Sequence, residues 1–191
     1  MAIRSLKTGA MSRSALAGNP IIMPGSYESI ATVTGNGTSQ SLTFSNIPQT
    51  YAHLEIRGIG QASYSSNDNG AIGVRLNGDT GSNYTRHFIR GSGSSVSAGG
   101  LTSTTFAEAG DGAYLNTGST VGASVISVFD YTNTNKYTTI RGLSGMDNNG
   151  LGAITLGSGL WINTAAVTSL TIFQQNANFT DKSTFALYGI A

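Results

Sequence analysis

Two histidines, nine carboxylates and several runs of serine are the groups in this 191-residue chain that could do acid–base, metal or nucleophilic chemistry. His53 and His87 lie in strand-like segments among polar neighbours, with no second His, Asp or Glu at metal-ligand spacing, and read as surface or structural side chains. Glycoside hydrolysis needs two carboxyl groups facing one cleft; Glu55 with Asp130 is one pair a fold could bring together, and nothing in the spacing selects it. Asp68, Asp79, Asp111 and Asp147 sit in "SSNDNG", "LNGDTG", "AGDGA" and "GMDNNG", where a short carboxylate stabilises a turn by accepting nearby backbone N–H groups. "DNNG" lacks the later Glu of a calcium loop.

The serines of "GSGSS" have neither the G-x-S-x-G spacing nor the strand-to-helix context of a nucleophile elbow, and the Gly-rich stretches lack the Lys of a phosphate loop. Cysteine is absent, which removes disulfides, thiolate metal sites and thiol nucleophiles together. Asn36, Asn83 and Asn178 open N-x-T triplets and read as turn residues. Tyr64, Tyr84, Phe88, Tyr114 and Trp161 could stack on sugar faces, but strand-borne aromatics mostly fill cores, and the alternation in "GLWINT" points Trp161 inward. No enzyme, metal or cofactor is expected from these groups.

The elements that would position them are strands. Charged residues are only 10 % of the chain against the usual quarter, 26 residues are Gly, and helical periodicity is nearly invisible. Short β-branched segments bounded by Gly, Asn, Asp and Ser recur from Tyr27 onward: "SYESIATVT", "QSLTFSNIP", "YAHLEIRGI", "GASVISVFDY", "KYTTIRGLSG", "GAITLGSGLWI", "VTSLTIFQQ" and "STFALYGI". "AIGVRLNGDTGSNYTRHFIR" reads as a hairpin, with Ile72, Val74 and Leu76 inward, a turn at "NGD" and a return strand from Tyr84 to Arg90. "GSGSSVSAGG", residues 91–100, reads as a flexible surface loop. About ten strands without helices between them favour an all-β fold: an antiparallel β-sandwich, jelly-roll-like, over residues 27–191.

Residues 1–26 carry Arg4, Lys7 and Arg13 with no acid and no regular apolar spacing, and Pro20 and Pro24 favour an extended path. Lys7, Gly9 and Arg13 interrupt any apolar core of a secretory signal, and no stretch approaches the about 18 apolar residues of a membrane span. The reading is an extended N-terminal anchoring arm that gains order against a partner, with Arg4, Lys7 and Arg13 pairing with acids and Leu6, Met11, Leu16, Ile21 and Ile22 as apolar anchors. Net charge of +1 provides no long-range field for nucleic acid or an anionic membrane, so neither is expected as a partner.

In order, "SYESIATVT", "SLTFSNIPQTYAHLEIRGI", "RLNGDTGSNY", "LSGMDNNG", "SGLWINTAAVTSLTI" and "FALYGI" resemble small virion structural proteins of tailed bacteriophages, especially cyanophages, over nearly the whole chain. The opening "IRSLKTGAMSRSALAGN" looks like the basic leader that precedes this domain in such proteins. The resemblance implies a non-enzymatic viral structural protein located in the virion: a capsid cement or decoration protein, or a short head or tail fibre, commonly a homotrimer. Its partner would be the phage major capsid protein or a tail protein, reached through the arm. A fibre would add recognition of a host surface glycan through loops such as 61–70 and 91–100.

Overall fold

A computed structural model describes residues 27–63, 71–111, 119–147 and 152–191. They form twelve strands, all paired antiparallel, in two sheets. The strands are β1 (Glu28–Thr34), β2 (Ser41–Phe44), β3 (His53–Gly60), β4 (Ala71–Leu76), β5 (Tyr84–Ser92), β6 (Ser95–Thr104), β7 (Ala107–Asp111), β8 (Gly122–Phe129), β9 (Thr138–Asp147), β10 (Gly152–Trp161), β11 (Leu170–Gln174) and β12 (Thr184–Ile190). The large sheet has the order β1-β12-β3-β8-β9-β10-β5-β6, and the small sheet β2-β11-β4-β7. The antiparallel β-sandwich is therefore the fold. The arm of residues 1–26 lies outside the described residues.

The core lies between the sheets. Ile72, Val74 and Leu76 of β4 face inward as their alternation requires, beside Leu170 and Ile172 of β11, and Leu54, Ile56, Ile126, Val128, Ile140 and Leu187 meet them from the large sheet. Phe179 and Phe185 pack edge to face at 5.3 Å, and Tyr84 stacks on Trp161 at 6.5 Å. Trp161 is buried, as its neighbours predicted.

β7 packs backbone against backbone on the large sheet. Its residues Ala107–Ala109 lie against inward-facing Gly142, Gly157 and Gly159 of β9 and β10. A Cβ at Gly142 would stand 2.3 Å from the Ala109 carbonyl oxygen, and one at Gly157 2.6 Å from that of Glu108. These glycines let one backbone rest directly on another, a contact no larger residue permits.

Two expectations are corrected. "NGD" is a tight turn, with Asn77 and Gly78 both at positive φ (52° and 67°) and the Asp79 N–H donating to the Leu76 carbonyl. It is not a hairpin: β4 belongs to the small sheet and β5 to the large one. The Asp79 carboxylate redirects the chain, accepting from Gly81 N (2.8 Å), Asn83 Nδ2 (3.0 Å) and Trp161 Nε1 (2.7 Å), while the Tyr84 hydroxyl accepts from Leu76 N at 3.0 Å. Alternation looks the same in sequence whether the next strand pairs alongside or crosses to the opposite layer.

Residues 91–100 are not a loop either. They complete β5, turn at Gly93 (φ 58°) and Ser94, and return as β6. Small residues are required there: a Cβ at Gly99 would lie 2.9 Å from the Phe88 ring, and one at Gly100 2.3 Å from His87. Asp111 and Asp147 are the last residues of β7 and β9; the residues that follow them, and Asp68, lie outside the described residues. Asn36 performs the turn role expected of it, its Oδ1 accepting the Thr38 and Ser39 N–H groups at 2.9 and 2.8 Å.

Two stability predictions follow from these contacts. Gly157→Val drives two methyl groups into the β7 backbone and lowers the unfolding free energy by about 2–3 kcal/mol, measured by urea denaturation. Asp79→Ala removes a hydrogen-bonded carboxylate and lowers it by about 2 kcal/mol. The Trp161 indole N–H first, and then Asn83, hold the Asp79 carboxyl below the usual carboxylate range. Its contribution is thus complete above the unfolded value of about pH 4 and is lost as pH falls through the lower folded value, so the gap between wild type and Asp79→Ala closes in acid.

Candidate interaction surface

Several of the groups that could do chemistry are engaged with other side chains. Arg57 Nε donates to Glu55 Oε1 at 2.7 Å, its guanidinium 4.7 Å above the Tyr27 ring, and the Tyr27 hydroxyl donates to Glu55 Oε2 at 3.3 Å. Asp130 holds Lys136, while His53 Nδ1 accepts the Asp130 N–H at 3.0 Å. The Lys136 hydrogen bond, ahead of the Coulombic attraction of the same ammonium, holds the Asp130 carboxyl below its usual range. Glu55 and Asp130, one pair a glycosidase could use, are each tied to a cation of their own. The sequence gives His53 no partner at metal-ligand spacing; the fold brings Asp130 to it from 77 residues away.

Arg86, from the inner side of β5, reaches Glu108 of β7 at 2.9 Å with its guanidinium 4.5 Å over the Phe106 ring. Among the described residues, no three His, Cys, Asp or Glu side chains gather as a metal site. No helix there is long and apolar enough to cross a membrane. Two buried polar side chains, Ser124 and Gln174, have hydroxyl or amide atoms without a hydrogen bond among the described residues.

The two outer faces differ in kind. On the small sheet, Thr43 and Thr171 share a hydrogen bond at 2.9 Å, and Arg75 lies 4.2 Å over the Phe173 ring. Phe106 packs on the edge of that ring and Gly73 leaves room beneath it, so its one large outward aromatic is covered.

On the large sheet, side chains at matching register positions form rows across the strands. One row is Ile59, Ala123, Gly145, Ile154, Gly91 and Val96; the next is Arg57, Val125, Leu143, Leu156, Ile89 and Ala98. Ile154 is 60 % exposed, Ile89 50 %, Leu143 49 % and Leu156 45 %. Shallow hollows lie between them, one of about 540 Å³ beside Ile89, Ala98 and Leu156, the other of about 790 Å³ beside Gly91, Ala123, Gly145 and Ile154.

None of these outward aliphatics was singled out from the sequence, although a signal was present. β8 reads Val125-Ile126 and β5 Phe88-Ile89, apolar side chains at both parities, as in strands with both faces covered. The partner-binding residues chosen instead, Arg4, Leu6, Lys7, Met11, Arg13, Leu16, Ile21 and Ile22, lie outside the described residues, as do Tyr64 and Tyr114.

The Arg86–Glu108 pair is a structural joint, and its removal is measurable. Glu108→Ala leaves a partly buried guanidinium uncompensated and lowers stability by about 3 kcal/mol by thermal or urea unfolding. Set beside known proteins, the chain matches no family model, no curated protein and no solved structure.

Proposed function

We propose that this chain is a non-enzymatic structural protein of a bacteriophage virion, a capsid cement or decoration protein. It docks on the particle through residues 1–26, by way of the major capsid protein or a tail protein, and presents the sandwich of residues 27–191. The observation that carries the reading is the aliphatic outer face of the large sheet, a surface whose chemistry suits contact with protein. The near-neutral charge, the cation-tied carboxylates and the motif resemblance given above are consistent with it.

The alternative of a glycan-reading fibre draws less support. Residues 91–100, one of its two candidate recognition loops, are a strand hairpin of small side chains without an aromatic.

Particle incorporation tests the proposal. Deleting residues 1–25, or reversing charge with Arg4→Glu, Lys7→Glu and Arg13→Glu in a full-length chain, abolishes copurification with phage particles, quantified by mass spectrometry of purified virions. Wild-type copy number in both variants overturns the docking role of the arm.

A further inference from the structure

The outer face of the large sheet is large, apolar and shaped to fit itself. Its two aliphatic rows cross six strands from β3 to β6, about 24 Å at ordinary strand spacing, and the rows lie about 7 Å apart. With their flanks they cover a few hundred Å², the scale at which an exposed apolar patch marks an interaction site. With a polar rim the face approaches the about 800 Å² that each partner contributes to a stable interface.

We infer that a second copy of this chain covers this face, outer sheet against outer sheet, about a two-fold axis that crosses the strands at the level of Ser144. Such an axis lays β9 antiparallel on β9 of the partner and sets one aliphatic row over the other. Leu143 then meets the hollow at the partner's Gly145, Ile89 that at the partner's Gly91, and Val125 lies over the partner's Ala123. Leu156 meets the partner's Ile154 near the centre, large on large. At β8, β9, β5 and β6 a bulky residue of one row thus opposes a small one of the other, at β3 Ile59 meets the partner's Arg57, and the two-fold applies each match twice.

Charge agrees with the same axis. Along the outward side of β9, Arg141 precedes Leu143 and Asp147 follows Gly145, so the rotation brings each Arg141 towards the partner's Asp147. Two such sheets stack at about 10 Å with strands nearly aligned, the spacing at which these side chains interdigitate. Pairing edge to edge through β6 would extend the sheet and leave both rows in water. The face, not the edge, is the contact. The inference does not depend on the virion reading, and its two-fold symmetry departs from the trimer that the resemblance implies.

Light scattering on the purified full-length chain at micromolar concentration tests it. The wild type runs at twice the mass of one chain, and Leu143→Asp, an exposed position, raises the dissociation constant at least 100-fold while the thermal midpoint extrapolated to the monomer stays unchanged. Because the chain has no cysteine, Leu156→Cys introduces a unique thiol. A short bis-maleimide then links two copies through it, whereas Thr43→Cys on the small sheet gives no such product. A one-chain or three-chain mass for the wild type, an unchanged mass for Leu143→Asp, or failure of Leu156→Cys to crosslink overturns the pairing. A one-chain mass with the residue 156 thiol shielded assigns the face to residues 1–26 instead and overturns it equally.

Discussion

The contact of β7 with Gly142, Gly157 and Gly159 sets the rest of the architecture. Backbone resting on backbone brings the edge of the small sheet down over β9 and β10, and every other inter-sheet contact must accept that separation. On one side of this seam the sheets enclose the aromatic and aliphatic core around Trp161, Phe179 and Phe185. On the other side the Arg86–Glu108 pair and the Phe106 ring close the gap. A four-stranded sheet pinned there reaches from β2, which lies beside β1, as far as β5; β6 projects beyond it with both of its faces in solvent. The unequal widths of the sheets follow from where the glycines are.

That seam also separates what the sequence makes legible from what it hides. Strands that bury one face declare themselves: Ile72, Val74 and Leu76 alternate with smaller or polar residues, and the core side of β4 is read from them directly. β7 does not, because "AEAGD" contains no β-branched residue and owes its conformation to glycines some 35 to 50 residues later in the chain. β6 does not, because "SVSAGGLTST" buries neither face and has no alternation to show. The turn at Asn77 and Gly78 was legible as a turn, but its destination was not. Whether β5 pairs with β4 or crosses to the other layer is decided by Asp79, which binds an indole 82 residues distant.

The outer face of the large sheet is a different failure of reading. Consecutive apolar side chains such as Val125 and Ile126 mark a strand in the sequence without saying that its second face is exposed. A strand with both parities apolar has two faces to cover, and an isolated two-layer sandwich covers one. The small sheet shows how this chain treats an outward hydrophobe meant for water: Phe173 is sealed by Arg75, Phe106 and the bare backbone of Gly73. Towards the β1 edge of the large sheet, Arg57 performs the same service over the Tyr27 and Tyr188 rings. Over β8, β9, β10 and β5 the outward rows have no such cover; Ser127, Arg141, Ser158 and His87 stand beside them as a polar border.

A polar row along one side of an aliphatic centre, with glycine and alanine hollows beside leucine and isoleucine knobs, is the composition expected of an interface rather than of an accidental patch. Solvent selects against bulky aliphatics at exposed strand positions unless something covers them, because each adds an unrewarded apolar surface and a route to aggregation. The same sheet spends glycine on its inner side to receive β7 and on its outer side at Gly145 and Gly91 to leave hollows. One device, the missing side chain, therefore serves both layers. Inside, it lets two sheets of one chain approach until their backbones touch. Outside, it shapes a relief that a sheet of like relief can fill, and it places that relief on the larger of the two sheets.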